Sequence, residues 1–125
     1  MEKQMATGLK TTFLVHFIVG LIFGLIFLLL PQAWTLVGFP VREVVLYRLV
    51  GAAMVGIAAS SWLSYKATAW EKVKIVVQME IVWTVLAALV MLWGLLFAAL
   101  PVFGWVSFVL FVGFAAAFTV FYARS

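Results

Sequence analysis

The chain has 125 residues, 68% of them hydrophobic and 10% charged, with a mean hydropathy of +1.28 and a formal net charge of +4. Ordinary soluble domains are roughly 45 to 50% apolar and about 25% charged, so a water-soluble fold of this length is excluded. The length admits one domain of about four spans of roughly 20 residues. No cysteine is present to form a disulfide or to ligate a cluster.

The first apolar run follows Lys3 and Lys10 and predicts a span over 12–30. It is longer than the core of a signal peptide and ends in Leu-Pro-Gln without a small-residue cleavage site, so a retained helix is expected. Pro31 stops it, because proline cannot continue a helix without losing a hydrogen bond and meeting the preceding turn. The stretch 32–41 fits either a short interfacial helix or an irregular loop. A second span is expected over 44–63, with Arg48 near its start. Between Glu80 and Arg124 no charge occurs, and as one helix that stretch would run about 65 Å, twice the ~30 Å hydrocarbon thickness. It must fold back at Pro101 and Gly104, giving spans over 73–100 and 105–122.

Basic residues set the direction, because cytoplasmic segments retain positive charge. Lys3, Lys10, Lys66, Lys72, Lys74 and Arg124 all fall on one side of such a bundle, leaving Arg42 and Arg48 on the other. The fold expected is therefore an all-α membrane bundle of four helices with both termini cytoplasmic. A helical bundle of this kind points to a bacterial inner membrane. Trp34, Phe39, Phe103 and Trp105 are expected in the outer aromatic belt, and Trp62, Tyr65, Trp70 and Tyr122 in the inner one. The basic residues lie at the ends of apolar runs, not on one stripe, which speaks for membrane lipids and against nucleic acid as partner.

Helices in lipid associate through close packing, so small residues four apart mark contact faces. These are Gly20 and Gly24, then Ala52, Gly56, Ser60 and Ser64, and finally Gly113 and Ala117. Polar residues share those faces: His16 is four before Gly20, and Glu80 is four before Thr84. Counted from the nearest basic residue, His16, Ser60, Glu80 and Thr119 each lie about 8 to 9 Å deep, which predicts one intramembrane polar layer.

An acid inside a span costs about 2.5 to 3.5 kcal/mol on insertion scales and is a functional candidate. Glu80 fits a proton carrier, or an acid bonded to His16 or Ser60 that holds the bundle together. His16 fits interior packing, a proton pair with Glu80, or axial ligation of a haem or chlorophyll metal beside the space cleared by Gly20 and Gly24. Arg48 fits snorkelling to headgroups, or an outer anion or headgroup site with Gln32 and Glu43. The sequence holds no metal-ligand cluster, nucleotide-binding loop or nucleophile elbow, and the balance points away from an enzyme.

The loop Pro31-Gln-Ala-Trp-Thr-Leu-Val-Gly-Phe-Pro40 and the opening Tyr47-Arg-Leu-Val-Gly-Ala-Ala53 resemble the DoxX-like superfamily and neighbouring small bacterial four-helix membrane proteins over the first half of the chain. The resemblance makes Arg48 and Gly51 signature positions and implies an accessory subunit of a membrane redox complex. Small multidrug transporters share the length and helix number but carry their essential acid in the first span, where this chain has His16.

Three functions are thus in contention. The first is an accessory subunit or lipid/quinone-binding module that contacts other membrane subunits or itself and needs no cofactor. The second is a homodimeric proton-coupled transporter using Glu80, and the third a haem- or pigment-binding protein using His16.

Overall fold

A computed structural model describes residues 3–125. Four helices account for most of it: α1 Thr7–Leu29, α2 Val44–Lys66, α3 Trp70–Phe97 and α4 Gly104–Ala123. All four are long and apolar enough to cross a membrane.

The helix ends follow from local chemistry. Leu30 precedes Pro31 and leaves helical conformation at φ −131°, ψ 53°, as expected where the proline ring crowds the preceding residue. Its amide still bonds the Ile26 carbonyl, so the last turn of α1 is satisfied. Pro31–Val37 then forms a short 3₁₀ helix, the more ordered of the two forms expected there. Gly38 ends it at φ 94°, in the left-handed region open to a residue without Cβ. A Cβ at Gly38 would also lie 2.9 Å from the Pro101 Cβ.

α1 begins five residues before the expected start, and the added turn carries Leu9, which is fully buried. α2 runs on to Lys66, and α3 starts at Trp70 and stops at Phe97. The Gly94 carbonyl receives the amides of Ala98 and Leu100 and so closes α3 three residues before the expected end. Pro101 accepts the Gly104 amide as α4 begins.

α1 packs along α2 and α3 along α4, forming two hairpins that touch each other more sparingly. They are joined at the end where α2 turns into α3. There the amino-terminal strand crosses the junction: the Met5 amide donates to the Thr68 carbonyl at 3.1 Å, and the Trp70 amide to the Lys3 carbonyl at 2.7 Å. Beneath this strap lie Met5, Leu9, Phe13, Trp70, Val73, Val77 and Phe118, with the Phe13 and Phe118 rings 5.4 Å apart. Such a core gains from close packing and dispersion.

The α1–α2 interface is tightest at Gly24 and Gly51. A Cβ on Gly51 would collide with the Leu28 amide nitrogen and come within 2.8 Å of the Gly24 carbonyl oxygen. Gly20 lies against Ala58, whose Cβ would be 3.4 Å from one placed on the glycine. The expected α2 stripe is corrected here. Ala52 and Gly56 are exposed, and nothing lies within 4 Å of a Cβ built on Gly56. Ser64 of that stripe is buried, but its companions on the buried face are Gly51, Ala58 and Ser61, a face centred roughly opposite Ala52 and Gly56 on the helix. On α4 the expected contact at Gly113 is likewise absent: that glycine is exposed and its Cβ position is open. Ala117 is half-buried beside it, on the wall of a shallow groove shared with Thr11 and Thr12.

Candidate functional site

Immediately above the core, α1, α2 and α3 each contribute one polar side chain to a common point. His16 Nδ1 is 2.8 Å from Ser61 Oγ, and the Ser61 hydroxyl donates to Glu80 Oε1 at 3.4 Å. The circuit closes where His16 Nε2 approaches Glu80 Oε2 at 3.4 Å. Ser61 and Glu80 are fully buried and His16 nearly so.

The links differ in strength. The 2.8 Å contact is an ordinary hydrogen bond, whereas 3.4 Å is long for one. Glu80 Oε2 also lacks a partner in hydrogen-bond geometry, so its approach to His16 is an electrostatic contact and not a formed bond. Proton counting shows why the three residues belong together. A hydroxyl has one proton to give. If Ser61 gives its proton to Glu80, the imidazole must give Nδ1–H to Ser61, which leaves Nε2 and Oε2 facing each other at 3.4 Å. One further proton on either of these two atoms leaves the group with no net charge, the form a low-dielectric interior tolerates. Thr84, also buried, returns its hydroxyl to the Glu80 backbone carbonyl at 2.6 Å and so leaves the carboxyl to the cluster. The fourth wall is aromatic: Phe114 and Phe118 of α4 meet the imidazole edge-on, with centroids 4.6 and 5.6 Å away.

Two members of the expected polar layer, His16 and Glu80, meet. The other two are corrected. Ser60 turns away and donates to its own helix at the Ile57 carbonyl, 2.6 Å, and Ser61 takes its place. Thr119 is exposed, and its neighbour Phe118 is the α4 residue that faces inward. Gly51 and Ala58, seven apart, carry the signal that selects Ser61, since seven residues make nearly two helical turns and three more continue that face. Arg48, Gln32 and Glu43 are all exposed, and among the described residues no hydrogen bond or ion pair joins them into an anion site.

From His16 a cavity of about 780 Å³ extends between the hairpins toward the other end of the molecule. One stripe of α1 (His16, Val19, Gly20, Phe23 and Phe27) forms a wall, repeating at the three- and four-residue intervals of a helix face. Trp83 and Ala87 of α3 and Phe111 of α4 stand opposite, with Trp83 and Phe111 edge to face at 5.5 Å. The roof is Trp34, stacked on Phe23 at 5.5 Å and tilted against Phe27 at 4.7 Å, with Phe39 and Phe103 beyond it. Trp34 had been expected in an interfacial belt. It is 6% exposed, covered by the rings around it, and its indole N–H has no partner among the described residues.

No family model, curated protein or solved structure matches the chain. The geometry therefore stands as the basis for function. It offers an apolar chamber ended by one polar cluster. Both imidazole nitrogens face a partner within that cluster, so axial ligation of a macrocycle by His16 requires one of those contacts to break.

Proposed function

We propose that this chain is a small multi-pass membrane protein that holds a lipid or quinone between its two hairpins, as an accessory or binding module of a larger membrane complex. The observation carrying the reading is the cavity between the hairpins. At about 780 Å³ it falls within the 300 to 1,000 Å³ of small-molecule sites, and like them it is walled by apolar and aromatic side chains with few polar groups. Such a chamber does not hold water, so an apolar guest is its natural content. In this reading both termini are cytoplasmic, because the strap brings Lys3 to the α2–α3 junction where Lys66, Lys72 and Lys74 lie. The resemblance of the first half to DoxX-like proteins agrees with an accessory role.

Purification in mild detergent, followed by mass spectrometry of organic extracts and of co-eluting protein, tests the proposal. A stoichiometric amphiphile and retained membrane subunits are expected. A monodisperse chain free of both rejects it.

A second reading, a homodimeric proton-coupled transporter, is favoured by the approach of His16 Nε2 to Glu80 Oε2 at 3.4 Å inside the bundle. Glu80→Gln keeps the shape of the side chain but cannot exchange a proton, so pH-driven flux in proteoliposomes should be abolished. Flux unchanged by the substitution removes that role.

A further inference from the structure

The cavity is not equally closed on all sides. Below His16 the core of Leu9, Phe13 and Phe118 is fully buried, so nothing passes in that direction. Above, the aromatic roof is dense around Trp34. Apart from buried His16, the α1 and α4 walls are half-buried. The walls on α2 and α3 differ: Leu46 and Val50 are 57% and 45% exposed, and Leu86 and Val90 are 56% and 67% exposed, although all four line the cavity. Residues can line a chamber and also face outward only at its mouth. The chamber thus opens sideways, between α2 and α3, at a level where spanning helices meet hydrocarbon and not water.

Depth and polarity narrow the guest. From His16 to Phe27 the α1 wall runs eleven residues, roughly 16 Å by helical rise, or about one leaflet of a ~30 Å hydrocarbon core. Polar groups on the lining are few. Both nitrogens of His16 face Ser61 and Glu80, and the Tyr47 hydroxyl is directed at the Pro40 carbonyl. Two donors on the lining have no hydrogen bond among the described residues, the Ser107 hydroxyl and the Trp34 indole N–H, and the indole nitrogen is itself buried. A quinone ring, with two carbonyl oxygens, would find one donor within reach, Ser107, because the Trp34 nitrogen is covered. A hydrocarbon chain needs none.

We propose that the cavity takes the acyl chain of a membrane glycerolipid, which enters sideways between α2 and α3 and lies along α1 with its tail toward His16. This rests on the reading that the helices span a membrane and that the cavity is the binding site. It adds the class of guest, its orientation and its route. Side-on entry also explains why the mouth bears branched aliphatic side chains and no charge, since a charge there would bar the chain.

The test uses the whole protein in phosphatidylcholine vesicles doped with a phosphatidylcholine that carries a diazirine near the end of one acyl chain. After irradiation, labelled residues are located by mass spectrometry. Phe111 and Ala87, on the inner wall, should be labelled along with lipid-facing residues such as Leu89. Ala87→Trp fills the chamber and Val50→Trp narrows its mouth; each should lower labelling of Phe111 several-fold while leaving Leu89 unchanged. Two variants at separate sites guard against one that fails to fold. Labelling confined to outward-facing residues, or equal in wild type and in a folded variant, overturns the proposal. If a quinone co-purifies while Phe111 stays unlabelled, the acyl assignment falls and the binding reading stands. If nothing is retained and nothing labelled, both fall.

Discussion

Ser60 and Ser61 are the same residue type at adjacent positions, so replacing each by alanine isolates what direction alone contributes. Ser61→Ala removes the 2.8 Å link to His16 and the 3.4 Å link to Glu80 and leaves two buried groups without that partner. In a water-referenced protein each orphaned group costs about 1 to 3 kcal/mol. Between membrane helices the measured cost is smaller, averaging about 0.6 and reaching about 1.7 kcal/mol, because the separated helices find other partners in the bilayer. The shorter link should carry most of the loss and the longer one a fraction, so the expected destabilisation is about 1 to 2 kcal/mol. Ser60→Ala removes only a bond to its own helix and should lie within about 0.5 kcal/mol of wild type. Reversible titration with denaturing detergent in mixed micelles, followed by circular dichroism, measures both. If Ser60→Ala costs as much as Ser61→Ala, the assignment of Ser61 to the cluster is wrong.

Glycine substitutions on α2 test its packing face by the same titration. Gly51→Ala places a Cβ against rigid backbone of α1 and should cost about 1 to 3 kcal/mol through overpacking. Gly56→Ala meets nothing and should be neutral or gain up to about 1 kcal/mol in helix propensity. Gly38→Ala forces a side chain into the left-handed region beside Pro101. A loss of about 1 to 2 kcal/mol is expected, read as a lowered unfolding midpoint.

Hydropathy made the four helices legible, because a chain crossing about 30 Å of hydrocarbon must spend roughly 20 apolar residues on each pass. Their faces were far less so. In a soluble helix polarity distinguishes outside from inside, but here Leu86 faces outward and Val77 is fully buried, and both are aliphatic. The remaining guide, small residues spaced four or seven apart, occurs in two registers on α2. Ala52 and Gly56 form one, and Gly51 with Ala58 lies on the other. One position of error rotates the reading by about 100°, which is why Ser60 stood in for Ser61. His16 and Glu80 were legible because a polar group within a span has to find a partner. Trp34 was not, since an interfacial tryptophan and one buried under a turn share the same sequence position beside a helix end.

The strap across the α2–α3 junction bears on the order in which the molecule assembles. The Met5 amide finds its acceptor on Thr68, sixty-three residues later in the chain. During synthesis α1 and α2 can meet as soon as both exist, through glycine contacts made over a short connection, while Lys3 and Met5 still have no strand to pair with. Contacts so distant in sequence form late, because the intervening chain must first surrender its freedom. Residues made before any of the four helices are thus among the last to be secured, and the strap acts as a seal on a bundle already formed.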